Sequence, residues 1–197
     1  KETGTSFDES HPYANRDPRL KATVMYTGNS YTLADGTEVV INCEKGEGKD
    51  GYGVGSDCSA TGYYIKKYWD NTYRATLYSG LNPILIRYAD ILLMYAEAVG
   101  EDEGKKYLNQ VRARAGLVGY GDADYPKEYN TFNKALEHER RVELAMEFHR
   151  FFDLVRTNRA MEVINSKGFN LTKDKLLFPI PVNAIDINPG LLQNPGY

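Results

Sequence analysis

Four carboxylates crowd the stretch ERRVELAMEFHRFFD: Glu139, Glu143, Glu147 and Asp153. Paired carboxylates are the machinery of glycoside hydrolysis, one as general acid and one as base or nucleophile, and Glu143 or Glu147 is the candidate pair member here. Such an acid needs a raised pKa. Arg140, Arg141, Arg150 and Arg156 are interleaved at helical spacing, and neighbouring guanidinium groups keep carboxylates ionised. The pattern therefore predicts ion pairs that tie this helix to its neighbours, with Arg140, Glu143, Glu147 and Arg150 structural and no catalytic residue. His138 and His149 lie eleven apart and would share one face of a continuous helix. A zinc-protease helix needs H-E-x-x-H, and His138-Glu139-Arg140-Arg141-Val142 lacks the second histidine, so no metal ligand is expected. GEGKDG (46–51) meets G-x-G-x-x-G, but YGVGSDC follows where a phosphate loop needs a helix N-terminus. No cofactor is implied.

The aromatic cluster is the stronger candidate. Tyr52, Tyr63, Tyr64, Tyr68, Trp69, Tyr73 and Tyr78 fall close together, beside Lys66, Lys67, Asp70 and Asn71. Sugar rings stack their C–H faces on aromatic rings, while Asp, Asn and Arg bond the hydroxyls. Tyr64, between Tyr63 and Ile65, reads as a packing residue. Trp69 ends a strand-like run next to a polar turn. The ligand-binding candidates are Trp69, Asp70, Asn71, Tyr73 and Tyr52.

The elements that would position these residues change character along the chain. Residues 1–80 have no helical period. TEVVIN (37–42) and TGYYIKKYW (61–69) read as strands, separated by a glycine-rich loop. From Asn82 the pattern turns helical, with Asn82 as N-cap, Pro83 at the first position and Gly100 as the stop. Ile84–Val99 is apolar almost all round, which predicts burial on several sides. The turn GEDEG leads to KKYLNQVRARAG, ended by Gly116, and the two helices form an antiparallel hairpin. Thr131 can cap a third helix, FNKALEHERRVELAMEFHR, which continues or breaks into FFDLVRTNRAMEVINS and is stopped by Gly168. The tail LLFPIPVNAIDINPGLLQNPGY is too rich in proline for a helix and too apolar for a loose end. It predicts an extended strap over helices, with Phe178, Ile180 and Val182 on one side. The reading divides the chain into a loop and short-strand region (1–80), a helical region (82–168) and an extended tail (169–197).

Composition narrows the function classes. With 42% hydrophobic and 26% charged residues, the 197-residue chain is ordinary for a folded domain. A net charge of -3 gives no general attraction to nucleic acid. The opening residues lack the charged-then-apolar order of a secretory signal, and ILIRYADILLMYAEAV is too short and too charged to span a bilayer. Cys43 and Cys58 flank the glycine-rich loop. A bridge would remove about 3 kcal/mol of loop entropy from the unfolded state; both states stay open, since the redox compartment decides.

Six segments occur in a fixed order: DPRL (17–20), GYYIKKY (62–68), IRYADILLMYAEA (86–98), LNQVRARAG (108–116), ERRVELAMEFHRFFDLVR (139–156) and LFPIPVNAIDINPGLLQNPGY (177–197). Together they resemble the C-terminal part of the SusD/RagB family of Bacteroidetes outer-membrane nutrient-binding lipoproteins. The resemblance implies a mainly α fold with minor β. It implies helical hairpins of tetratricopeptide type, packed with an irregular loop and strand region and the proline-rich strap. It also implies a non-catalytic, lipid-anchored subunit on the extracellular face of the outer membrane. Such a subunit caps a SusC-like TonB-dependent transporter and captures glycans, or peptides in some members. The N-terminal half of that family, with its lipidated cysteine, has no counterpart in these residues, and family sites draw on that half. A helical scaffold without a small ligand is the reading from another class.

Overall fold

The computed structural model describes residues 8–48, 50–53, 55–56, 58–71 and 79–197. Tyr73 lies outside them. The chain forms two compact units, one ending at Glu147 and one spanning Phe148–Tyr197.

The first unit begins with a short helix, α1 (Leu20–Thr23), which passes directly into β1 (Val24–Met25). β1 pairs antiparallel with β4 (Tyr64–Ile65), Val24 opposite Ile65. β2 (Ser30–Thr32) and β3 (Glu38–Val40) form a second antiparallel ribbon, Tyr31 opposite Val39. The strands are thus much shorter than TEVVIN and TGYYIKKYW suggested. Met25, Ile41 and Cys43 form a small buried cluster that Tyr31 and Tyr64 pack against, so Tyr64 is a packing residue as read. The Tyr64 hydroxyl donates to Asp50 O (2.8 Å) and accepts from Ser59 N (3.0 Å). No disulfide joins Cys43 to Cys58; Cys43 is buried, which pushes its thiol pKa up.

α2 runs Tyr88–Val99, not from Ile84. Residues 79–87 have no regular structure, and Arg87, extended, takes the N-cap place that Asn82 was expected to hold. Gly100 (φ 78°) alone makes the turn, and α3 (Glu101–Arg114) starts at the next residue. Glu101, Asp102 and Glu103 therefore belong to the first turn of α3, where the helix dipole favours acids. The hairpin closes tightly at Gly104, where a β-carbon would lie 2.3 Å from Ala96 O and 2.8 Å from the Phe132 ring. α4 (Phe132–Glu143) follows, with Thr131 Oγ1 accepting from Lys134 N as N-cap (3.4 Å). Leu92, Leu93, Ala96, Leu108, Val111, Phe132, Ala135 and Leu136 form the core of these three helices. α2 buries only that side. Tyr88, Ile91, Met94 and Tyr95 on its other face are exposed.

The helix read as continuous through His149 stops at Glu143, because Met146 (φ 66°) and Phe148 (φ 65°) adopt left-handed backbone. His138 and His149 consequently belong to different helices. In the second unit, α5 (His149–Arg156) and α6 (Ala160–Asn165) are separated by a turn with Asn158 at φ 58°. The tail is not extended throughout. Pro181 sets the N-cap of a short helix, α7 (Val182–Ile187), since proline obstructs a helix interior but not its entry. QNPGY then folds back on FPIP: Gln193 Oε1 accepts from Ile180 N (2.7 Å), Asn194 Nδ2 donates to Phe178 O (2.7 Å) and Tyr197 Oη donates to Leu177 O (3.0 Å). Phe178 and Val182 are exposed, not buried as the strap reading required. Among the described residues no helix is long and apolar enough to cross a membrane.

Candidate functional site

Three of the carboxylates that open the sequence reading, Glu139, Glu143 and Glu147, sit at the centre of a buried ion-pair hub, while Asp153 of the second unit pairs with Arg156 (2.9 Å). Glu139 is fully buried between Arg112 Nη1 (2.8 Å) and Arg19 Nη1 (2.5 Å). Glu143, one turn on, accepts from Arg19 (2.7 Å), Arg87 (2.6 Å) and both-oxygen contacts with Arg114 (2.7 Å each). Glu147 accepts from Arg87 Nε (2.8 Å) and from Lys67 Nζ. Arg140 points the other way, to Asp90 of α2 (3.0 Å). Asp17 holds Arg19 in place (2.6 Å). The last carbonyls of α4 are satisfied from outside the helix: Arg87 Nη2 and Lys67 Nζ both donate to Glu143 O (2.6 and 3.0 Å), and Lys67 also to Ala145 O (3.2 Å). Cations at a helix C-terminus complement its dipole.

Burial works against ionising Glu143 and Glu147. The bonds from Arg19 and Arg87 to Glu143, and from Arg87 and Lys67 to Glu147, outweigh it and hold both carboxyls below the ordinary glutamate value. A general acid requires the opposite shift. The partners of Glu139, Glu143 and Glu147, however, are not the interleaved arginines the sequence suggested. Arg19, Lys67, Arg87, Arg112 and Arg114 come from distant segments, and no pair at helical spacing predicts them. Five of the six segments quoted above, all but the tail, deliver a charged side chain to this hub.

The hub anchors the chain on which the aromatic candidates ride. Thr23 O accepts from Lys66 N (2.9 Å) and Lys67 N (3.2 Å). With Lys67 held by Glu147, the turn Lys66–Trp69 is fixed, and Trp69 N donates to Lys66 O (2.8 Å). The Trp69 indole stands across β2. Its Nε1–H donates to Thr32 O (3.0 Å), and the Tyr31 ring meets it edge-on at 4.5 Å between centroids. The indole remains 41% exposed. Trp69 and Asn71 line one open concavity of about 560 Å³ with Lys21, Ala22, Ser30, Tyr31, Thr32 and Lys66. Lys66 Nζ is held by Asn29 Oδ1 (3.1 Å) and by Ser30 O, and Asn29 in turn donates to Val24 O (2.8 Å). The result is a rigid aromatic face bordered by an amide, a hydroxyl and ammonium groups, suited to stacking on a sugar ring and bonding its hydroxyls.

The other candidates fare differently. Asp70 accepts from Ser79 Oγ (2.6 Å) and Gly80 N (3.2 Å) and does not line the concavity. Tyr52 belongs to the glycine-rich loop, its ring against Gly62, and does not line it either. Tyr31, Ser30 and Lys21 do, although the sequence reading passed over them. Tyr31 alternates with neighbours along a short strand, a pattern that many strand tyrosines share.

The sequence profile of the SusD family, SusD_RagB, matches residues 1–197. SusD-like protein P2 of Formosa agariphila is 30% identical over 225 aligned residues, taking in 99% of this chain and 43% of P2. SusD-like protein P38 of the same organism is 38% identical over 125 residues, 59% of this chain and 25% of P38. Among solved structures, a SusD-like protein of Bacteroides fragilis superposes with a TM-score of 0.68 at 27% identity, covering 94% of this chain and 40% of that one. A laminarin-binding SusD-like protein superposes at 0.60 with 31% identity, over 92% and 35%. Surface glycan-binding protein A of Bacteroides thetaiotaomicron, in complex with laminarihexaose, does so at 0.59 with 25% identity, over 92% and 39%. The chain thus spans less than half the length of each of these proteins.

Proposed function

This chain belongs to the SusD family, and on that premise we propose that it is the C-terminal part of a non-catalytic, cell-surface glycan-binding subunit. The subunit is anchored by lipid to the outer membrane and hands its ligand to a SusC-like TonB-dependent transporter. The Trp69 concavity is its glycan contact in this part of the protein. One observation carries the reading: an exposed indole, fixed by Thr32 O and Tyr31, beside Asn71 and two lysines. A tryptophan held half-open at a surface contributes little to packing and offers a stacking face. Two relatives that share the fold, one described as laminarin-binding and one bound to laminarihexaose, support a saccharide as ligand. The hub supports the non-catalytic reading, since Arg19, Arg87 and Lys67 hold the Glu143 and Glu147 carboxyls below the ordinary glutamate value.

Screening the full-length protein on a glycan array identifies the ligand, and Trp69→Ala then tests the site. Stacking is worth about 1–2 kcal/mol, so affinity for the array hit falls about tenfold while the urea midpoint stays put. Unchanged affinity in Trp69→Ala would remove this concavity from the site. Hydrolysis of any polysaccharide that is lost in Glu143→Gln or Glu147→Gln would overturn the non-catalytic assignment.

A further inference from the structure

α4 serves two sides of the first unit. Glu139 and Glu143 face the hub, while His138, Arg141 and Val142, with Ala145 just beyond, line a second cleft of about 560 Å³. Its other walls are Tyr13, Arg16, Leu20, Thr23 and Val24 from the start of the chain, Tyr63 before β4, and Glu128 and Tyr129 of the 3-10 turn Lys127–Tyr129. The rings are braced. Tyr129 stacks on His138 at 3.8 Å between centroids and 17° between planes. Tyr13 stacks on Tyr26 at 4.0 Å and 23°, and its hydroxyl donates to the Tyr63 hydroxyl (3.4 Å). Tyr13, Tyr129 and His138 are half-buried, and Tyr63 is exposed. The floor, Leu20, Val24, Val142 and Ala145, is apolar. The charges at the cleft are unequal in their commitments. Arg19 and Asp17 are bonded to each other and Arg19 to the hub, and Arg16 Nε donates to Pro12 O (2.8 Å). Glu128 also stands at the rim. Arg141 is exposed and bonds to no other described residue.

We propose that this cleft is a second saccharide site, selective for a sugar carrying an anionic group, a carboxylate or a sulfate ester, which Arg141 receives while the Tyr129–His138 and Tyr13–Tyr63 rings hold the apolar face of the ring. The proposal rests on the glycan-binding reading above, but uses none of the same residues. Three physical facts favour an anionic sugar over other occupants. A guanidinium fork matches a carboxylate or sulfate bidentately. Several braced aromatic rings around an apolar floor suit a flat ring with C–H faces. The cleft falls within the range of about 300–1,000 Å³ typical of small-ligand sites. A peptide would be expected to add to a strand edge, and the strands beside this cleft, β1 and β4, are two residues long and paired to each other.

The test titrates the full-length protein calorimetrically with oligogalacturonate, a glucuronate-containing oligosaccharide, a sulfated galactan oligosaccharide and neutral laminarihexaose. At least one anionic probe binds, its affinity falls as sodium chloride is raised, and Arg141→Gln weakens it at least tenfold. Arg141→Lys, which keeps the charge but loses the fork, recovers part of the loss. Uronate binding alone identifies a carboxylate site and sulfated-galactan binding alone a sulfate site; either supports the proposal. Equal affinity of wild type and Arg141→Gln for every anionic probe overturns it, as does Arg141-dependent capture of the acidic peptide Glu-Tyr-Glu-Tyr with no anionic sugar bound. Trp69→Ala separates the two sites. If it alone abolishes saccharide binding, the second site fails and the Trp69 site stands. If only Arg141→Gln does so, the reverse holds. If no saccharide binds at all, both fall.

Discussion

Arg112 and Arg114 differ by two positions and pair with the same helix, yet their environments assign them unequal weight. Arg112 has a side chain 0% exposed. It donates from Nε to Val118 O (2.7 Å), pairs with fully buried Glu139, and lies over the Tyr125 ring at 4.7 Å. Truncating it leaves Glu139 with Arg19 alone. Breaking a buried pair from one side costs about 3–5 kcal/mol, so Arg112→Ala should lower urea-unfolding stability by about that much. The Arg114 side chain is 61% exposed, and its partner Glu143 retains Arg19 and Arg87. An exposed pair is worth about 0–1 kcal/mol, and Arg114→Ala should cost no more. Equal losses in the two variants would show that the hub is not organised by burial. The same logic separates Arg141 from Arg140 next to it, the one facing a cleft and the other buried against Asp90.

Among the elements, the α2–α3 hairpin is the part whose geometry depends most on a single residue. Gly104 ordinarily weakens a helix by about 1 kcal/mol relative to alanine, and only packing justifies it here. A β-carbon would meet Ala96 O at 2.3 Å, a backbone atom that cannot rotate away, as well as the Phe132 ring of α4. Gly104→Ala should therefore destabilise the unit by about 1–3 kcal/mol in spite of the better helix propensity, read as a lowered midpoint in thermal unfolding. A neutral or stabilising outcome would mean the helices are not in contact there. The outer face of α2, with Tyr88, Ile91, Met94 and Tyr95 exposed, departs from the all-round apolar reading, which predicted burial on several sides.

At the scale of the whole first unit, the hub joins the chain's early loop, the residues after β4, the N-cap of α2, the end of α3 and the length of α4. Its pH dependence follows in sign. Glu143 and Glu147 have folded pKa values below the ordinary 4.5, so the unfolded chain binds more protons and stability rises with pH. The contribution is complete above about pH 5.5 and is lost as the pH falls through the ordinary glutamate value and below. Urea midpoints measured from about pH 7 down to about pH 3 should fall steeply in the lower half of that range, and the combined Glu143→Gln/Glu147→Gln variant should be less stable at neutrality with a shallower acid slope. A wild-type profile as shallow as the variant's would remove these carboxylates from the account. Read alone, the sequence determined much that is local: the helical hairpin, Gly100 and Gly116 as stops, the Thr131 cap and Tyr64 as a packing residue. Each of these depends on residues within a few positions of one another. The tertiary structure alone decided which cations reach Glu139, Glu143 and Glu147, since Arg19 and Glu139 are 120 positions apart and no periodicity relates them. It ended α4 at Glu143, where Met146 and Phe148 take left-handed backbone and Lys67 and Arg87 donate to Glu143 O. It also left Asp70 and Tyr52 out of the concavity that Trp69 lines and brought in Tyr31, Ser30 and Lys21. A binding surface is a meeting of separate segments, and proximity along a chain carries little of that information.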